Sequence, residues 1–160
     1  MSETVRILIV DDDENIRSVL TAILEDEGYT VESADTAKKG IEKSEKSFYN
    51  LALLDVRLPD MEGIELLGKI RDTKPKMRKI IITGYPTLQN AVAAVNKGAD
   101  AYVMKPFDVE KILQTIKEQL QKQKGEKSFS ESKVAEFIET RVKELEAMEQ
   151  QSAARGDSSC

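Results

Sequence analysis

Four short apolar runs in this sequence end in groups that can do chemistry. Ile7-Leu8-Ile9-Val10 ends in Asp11-Asp12-Asp13, and Leu51-Ala52-Leu53-Leu54 ends in Asp55. Ile80-Ile81-Ile82 ends in Thr83, and Ala101-Tyr102-Val103-Met104 ends in Lys105. A charge at the end of a buried strand costs free energy unless it is paired or used. Carboxylates drawn together raise one another's pKa, and a divalent cation relieves their repulsion. An all-oxygen donor set with water positions to spare suits Mg²⁺, with Mn²⁺ as the alternative ion, better than zinc. A lysine adds a mobile positive charge and a threonine a hydroxyl donor, and such groups hold a phosphoryl group in position. The sequence has no histidine, which excludes imidazole acid–base chemistry and a phosphohistidine carrier. It has no GxxxxGK[ST] loop and no GxGxxG turn, so the nucleotide of any phosphoryl donor is held elsewhere.

The elements that must position these residues alternate. Strands are predicted over Val5–Val10, Tyr29–Ser33, Leu51–Leu54, Lys79–Thr83 and Ala101–Met104. Between them, apolar residues recur at helical spacing, as in Ile16, Val19, Leu20, Ile23 and Leu24. Asp13 reads as an N-cap for that first helix and Gly28 as its C-terminal stop. Further helices are expected over Thr36–Lys46, from Gly63 to about Asp72, over Thr87–Lys97 and over Val109–Lys122. Strand–helix units repeated five times imply an α/β fold, a mainly parallel sheet wound on both faces. In such sheets ligands bind beyond the carboxyl ends of the strands, where the chain order reverses. The four polar groups all lie at carboxyl ends.

The chain has 160 residues, a net charge of −5 and one cysteine, Cys160. Its length suits one domain, residues 1–123, plus an extension. Residues 124–129 are polar and read as a linker, 130–150 as a C-terminal helix, and 151–160 as a disordered tail. The extension holds eight acidic and five basic residues from Glu126 onward, so direct nucleic-acid binding is not expected of it. Its apolar positions follow heptads poorly and Arg141 interrupts them, leaving a short coiled coil, packing back on the domain or a lead into an output domain as alternatives. No run approaches the roughly 20 apolar residues that cross a bilayer, and no signal peptide is evident, so the expected location is the cytoplasm.

Taken together, Ile7–Asp13, Leu53-Leu54-Asp55-Val56-Arg57-Leu58-Pro59-Asp60-Met61-Glu62-Gly63, Ile82-Thr83-Gly84 and Met104-Lys105-Pro106-Phe107 resemble the four signatures of two-component response-regulator receiver domains. The resemblance covers about Thr4 to Gln123. It implies a flavodoxin-like five-stranded sheet in the order 2-1-3-4-5, similar to chemotaxis regulators. It implies Asp55 as the acceptor of a phosphoryl group from a sensor histidine kinase or phosphotransfer protein. Asp12 matches the direct Mg²⁺ ligand, Asp11 the acidic partner acting through water, and the main-chain carbonyl of Arg57 a third protein ligand. Thr83 matches the switch hydroxyl, Lys105 the partner of a phosphoryl oxygen, Lys105-Pro106 a cis peptide bond, and Tyr102 the aromatic switch.

The resemblance further implies a signalling switch, not an enzyme beyond its own phosphorylation and slow dephosphorylation. Arg57 and Tyr85 flank the mouth of the site and are expected to hinder water and lengthen the phosphorylated lifetime. The face of the fourth helix, fifth strand and fifth helix is expected to meet a downstream protein target or, on phosphorylation, a second copy. The rival is an aspartate-based phosphatase of the haloacid dehalogenase type, which also uses strand-end Asp, Thr, Lys and Mg²⁺. Asn15 stands where that family has Thr or Val, and Asp55 would have no role in it.

Overall fold

In the computed structural model, which describes residues 4–71, 73, 75–84 and 86–156, the apolar runs form five strands. These are β1 (Arg6–Val10), β2 (Thr30–Ala34), β3 (Leu51–Asp55), β4 (Arg78–Thr83) and β5 (Ala101–Met104). All pair in parallel in the order β2-β1-β3-β4-β5. Successive strand side chains point to opposite faces, which splits each run between two cores. Leu8, Val10, Ala52, Leu54 and Ile81 enter one, and Ile7, Ile9, Leu51, Leu53, Ile80 and Ile82 the other. Burial on both faces is the reason these strands read as continuous apolar runs.

Helices cover both faces. α1 (Glu14–Asp26) and the start of α5 (Val109–Gly156) bury Leu20, Leu24, Ile112 and Ile116 on the second core. α2 (Ala37–Lys46), α3 (Gly63–Lys69) and α4 (Leu88–Asn96) bury Ala37, Leu66, Leu67 and Ala94 on the first. Each fully buried Leu or Ile contributes roughly 1.5–3 kcal/mol, so the apolar strands readily offset the cost of the polar groups at their ends. Asp13 caps α1 by accepting from the Asn15 and Ile16 amides. Gly28 and Gly98 follow α1 and α4 at φ +92° and +99°, the left-handed region that glycine enters without a Cβ penalty.

Two expectations differ from the structure. α3 ends at Lys69, not near Asp72, because Ile70 turns to an extended backbone and buries its side chain in the first core. The break at 124–129 is absent: α5 is one helix of 48 residues, and its backbone stays helical through the linker segment and 151–156. Lys, Gln and Glu are good helix formers, proline is missing, and Gly125 alone costs only about 1 kcal/mol, too little to stop a helix already propagating. Residues 157–160, with Cys160, lie outside the described residues. By contacts the chain divides into two units, Met1–Gln123 and Lys124–Cys160. Within the first, buried Gln119 and Gln123 fasten α5: Gln119 Nε2 donates to the Asp100 carbonyl at 3.3 Å, and Gln123 Nε2 to the Asn50 and Lys76 carbonyls at 3.0 and 2.7 Å. In the second, Leu145 and Met148 are exposed.

Candidate functional site: an acidic pocket at the carboxyl ends of β1 and β3

The chain order reverses at β1, which lies between β2 and β3, and the acidic residues gather beyond its end. Asp11 is 2% exposed and held at all its polar positions. Its amide donates to the Ala34 carbonyl at 3.1 Å and its carbonyl accepts Arg17 Nη1 at 2.6 Å. Oδ1 accepts the Asp13 amide and Oδ2 accepts Lys105 Nζ, each at 2.9 Å. Asp12, by contrast, is exposed.

Asp55 ends β3 and is 8% exposed. Its Oδ1 accepts the Arg57 amide at 3.3 Å and its Oδ2 lies 3.5 Å from Lys105 Nζ. Burial pushes the Asp55 carboxyl up to about 6, and the charge of Asp11 adds to this; Lys105 and the Arg57 amide pull the other way, and Asp12 adds a smaller push upward. Carboxylate oxygens of Asp11, Asp12 and Asp55 all lie within 4.8 Å of one another. One ammonium therefore faces three carboxylates, and the surplus negative charge calls for a further cation.

Lys105 follows β5. Burial would lower its pKa, but the hydrogen bond and charge of Asp11, followed by Asp55, outweigh it and hold the ammonium above its ordinary value. The Lys105-Pro106 bond is cis. The Lys105 amide donates to the Thr83 carbonyl at 2.7 Å, which ties the ends of β4 and β5 together beside the pocket. Thr83 is fully buried. Tyr102 pairs with Ile81 across the β4–β5 ladder and packs on the first core. Its hydroxyl is buried with no hydrogen-bond partner among the described residues.

The structure thus gathers Asp11, Asp12, Asp55 and Lys105 in one pocket, and ties the Thr83 main chain to that of Lys105. Tyr102 lies two residues before the end of β5. Arg57 is exposed, with its amide on Asp55, and Tyr85 lies outside the described residues. Three contributors escaped the sequence reading. Arg17 braces the Asp11 carbonyl. Asp60 caps α2 from the β3–α3 loop: its two oxygens accept the Ala37 and Lys38 amides at 2.9 Å each. Gly63 packs on the end of β3, where a Cβ would stand 1.9 Å from the Asp55 carbonyl oxygen. Of these, only Gly63 left a signal, as a glycine opening a helix.

The donor set fits Mg²⁺. Hard carboxylate oxygens converge, one of them on an exposed residue, and among the described residues the cluster includes no sulfur or imidazole ligand. Among the described residues no helix is long and apolar enough to cross a membrane.

Comparison with known proteins agrees with this geometry. The family model for the response regulator receiver domain matches residues 7–117. The response regulator ArlR of Staphylococcus saprophyticus is 38% identical over 118 residues, 74% of this chain and 53% of that protein. The transcriptional regulatory protein ZraR of Klebsiella oxytoca is 35% identical over 136 residues, 84% of this chain and 31% of that protein. This chain therefore spans between about a third and a half of those two relatives. Among solved structures, a CheY-like response regulator receiver domain protein from Methanospirillum hungatei JF-1 is 52% identical, with a TM-score of 0.74, over 78% of this chain and 99% of that one. An acidic pocket at the reversal of a 2-1-3-4-5 sheet, matched along 7–117 by the family model, places this chain in the response regulator receiver family of two-component systems.

Proposed function

We propose that the chain is a phosphorylation-activated switch in which Asp55 accepts a phosphoryl group, with Mg²⁺ in the acidic pocket, from a sensor histidine kinase or phosphotransfer protein. The observation that carries this reading is the buried Asp55 carboxylate, within 4.8 Å of Asp11 and Asp12 and 3.5 Å from the Lys105 ammonium. An Asp55 oxygen attacks phosphorus, the bond from phosphorus to the donor nitrogen breaks, and the electron pair leaves with the donor imidazole. The product is an acyl phosphate. Asp11, Asp12, Asp55 and the main-chain carbonyl of Arg57 would hold Mg²⁺, which when bound supplies charge neutralisation for phosphoryl oxygens. Lys105 pairs with a phosphoryl oxygen and Thr83 donates to another. This protein's own catalysis extends to its phosphorylation and slow dephosphorylation, with Arg57 and Tyr85 at the mouth restricting water.

Phosphorylation adds roughly −1.5 to −2 charge, and drawing Thr83 and Lys105 inward shifts the population toward a form in which Tyr102 repacks. The α4–β5–α5 face then changes. Leu88, Val92 and Val95 on α4, Met104 on β5 and Val109 on α5 are exposed there, which supports output through a downstream protein or a second copy. The relatives named as transcriptional regulators extend well beyond the matched length, which favours a second reading in which a longer chain binds DNA through a separate domain.

Incubation with acetyl phosphate and Mg²⁺, followed by intact mass, tests the central claim. The expected result is one added phosphoryl group that is absent with EDTA and absent in Asp55→Asn. An unmodified wild type, or undiminished modification of Asp55→Asn, rejects it.

A further inference from the structure

Arg17 lies on the first helix, outside the pocket, and belongs to none of the roles above. Its Nη1 donates to the Asp11 carbonyl at 2.6 Å, a short charge-assisted bond. That carbonyl belongs to the peptide joining Asp11 to Asp12. A peptide unit is planar and rigid, so fixing its oxygen fixes the direction in which Asp12 leaves the strand. The Asp11 side chain has its own restraints in the Asp13 amide and Lys105. Asp12 is exposed, and its placement depends on the main chain that carries it.

Asp35, just past β2, has its carboxyl held below the ordinary range chiefly by a hydrogen bond from Lys39, and the charge of Arg17 adds a minor pull in the same direction.

We propose that Arg17 is a positioning residue for the cation site: by holding the Asp11–Asp12 peptide it sets the Asp12 carboxylate against Asp11 and Asp55, so that cation affinity depends on a side chain that touches neither cation nor phosphoryl group. This rests on the reading of the pocket as the Mg²⁺ site of a phosphoryl acceptor. The ordinary alternative is a structural tie that supports only folding.

The two roles separate by titrating the full chain with Mn²⁺ followed by electron paramagnetic resonance, alongside thermal unfolding in EDTA and phosphorylation by acetyl phosphate at rising Mg²⁺. Arg17→Met is expected to weaken Mn²⁺ binding about tenfold, as loss of an outer partner typically does. Its phosphorylation rate should approach wild type at saturating Mg²⁺. Arg17→Lys, which keeps the charge and one donor, should recover most of the affinity. Wild-type Mn²⁺ affinity in a folded Arg17→Met overturns the proposal. If Arg17→Met does not fold, Arg17→Gln decides: an affinity loss of twofold or more supports positioning, and wild-type affinity overturns it. A wild type that takes no phosphoryl group instead rejects the underlying function, which keeps the two failures distinct.

Discussion

Lys105 stands closer to Asp11 than to Asp55: its Nζ is 2.9 Å from Asp11 Oδ2 and 3.5 Å from Asp55 Oδ2. One ammonium therefore answers two buried carboxylates from a third strand end, and on the proposed function it is already close to the phosphoryl oxygens. Replacing it by Lys105→Met leaves the carboxylates facing one another. Phosphorylation of Asp55 by acetyl phosphate is expected to slow about a hundredfold, the scale for losing one preorganised charge-stabilising donor. Intact mass against time measures it, and a rate within a factor of two of wild type would remove Lys105 from the mechanism.

Asp60 gives the fold a pH dependence that the pocket does not share. Hydrogen bonds from the Lys38 and Ala37 amides hold its carboxyl below the ordinary range. A depressed native pKa contributes stability above the unfolded pKa and loses it as pH falls through the native value. Asp60→Ala should therefore melt below wild type at pH 6, and the gap should narrow toward pH 3. A gap of equal size at both pH values would show that the charge of Asp60 is not what stabilises α2.

Gly63 has no room to be anything else. A Cβ there would stand 1.9 Å from the Asp55 carbonyl oxygen and 3.0 Å from Val56 Cα, both backbone atoms that no side-chain rotation can move aside. Gly63→Ala is expected to cost about 2–3 kcal/mol and to slow phosphorylation as the acceptor strand shifts. Urea unfolding together with the acetyl phosphate assay checks both. By contrast, Gly68→Ala, with nothing within 4 Å of its added Cβ, should be neutral or better.

The Gln119 and Gln123 bonds make the end of the first unit testable by shortening the chain. A protein ending at Gln123 keeps both, and should melt and be phosphorylated as the full chain does. One ending at Glu118 leaves the Asp100, Asn50 and Lys76 carbonyls without these partners. It should lose about 2–4 kcal/mol, read by chemical denaturation. Equal stability of the two shortened chains would show that the glutamines do not hold the helix.

The strands were legible because a parallel sheet buried on both faces leaves uninterrupted apolar runs, and the pocket was legible because polar residues end four of them. Asp13, Gly28 and Gly98 mark helix ends by mechanisms local to a few residues. What escaped depends on contacts between distant positions. Nothing near Asp60 says that it caps a helix 22 residues away, and nothing in Arg17 says that it reaches back to Asp11. The polar run at 124–129 misled for a different reason: polarity distinguishes exposed from buried, not helix from coil. Lys, Gln and Glu suit an exposed helix as well as a linker.

The close approach of Gly63 has a mechanical meaning. With the Gly63 amide bonded to the Val56 carbonyl at 2.7 Å and no gap between the helix start and the main chain of Asp55, the end of β3 is backed as by an anvil. On the proposed function, the volume of an added phosphoryl group is not taken up by retreat of that strand toward α3.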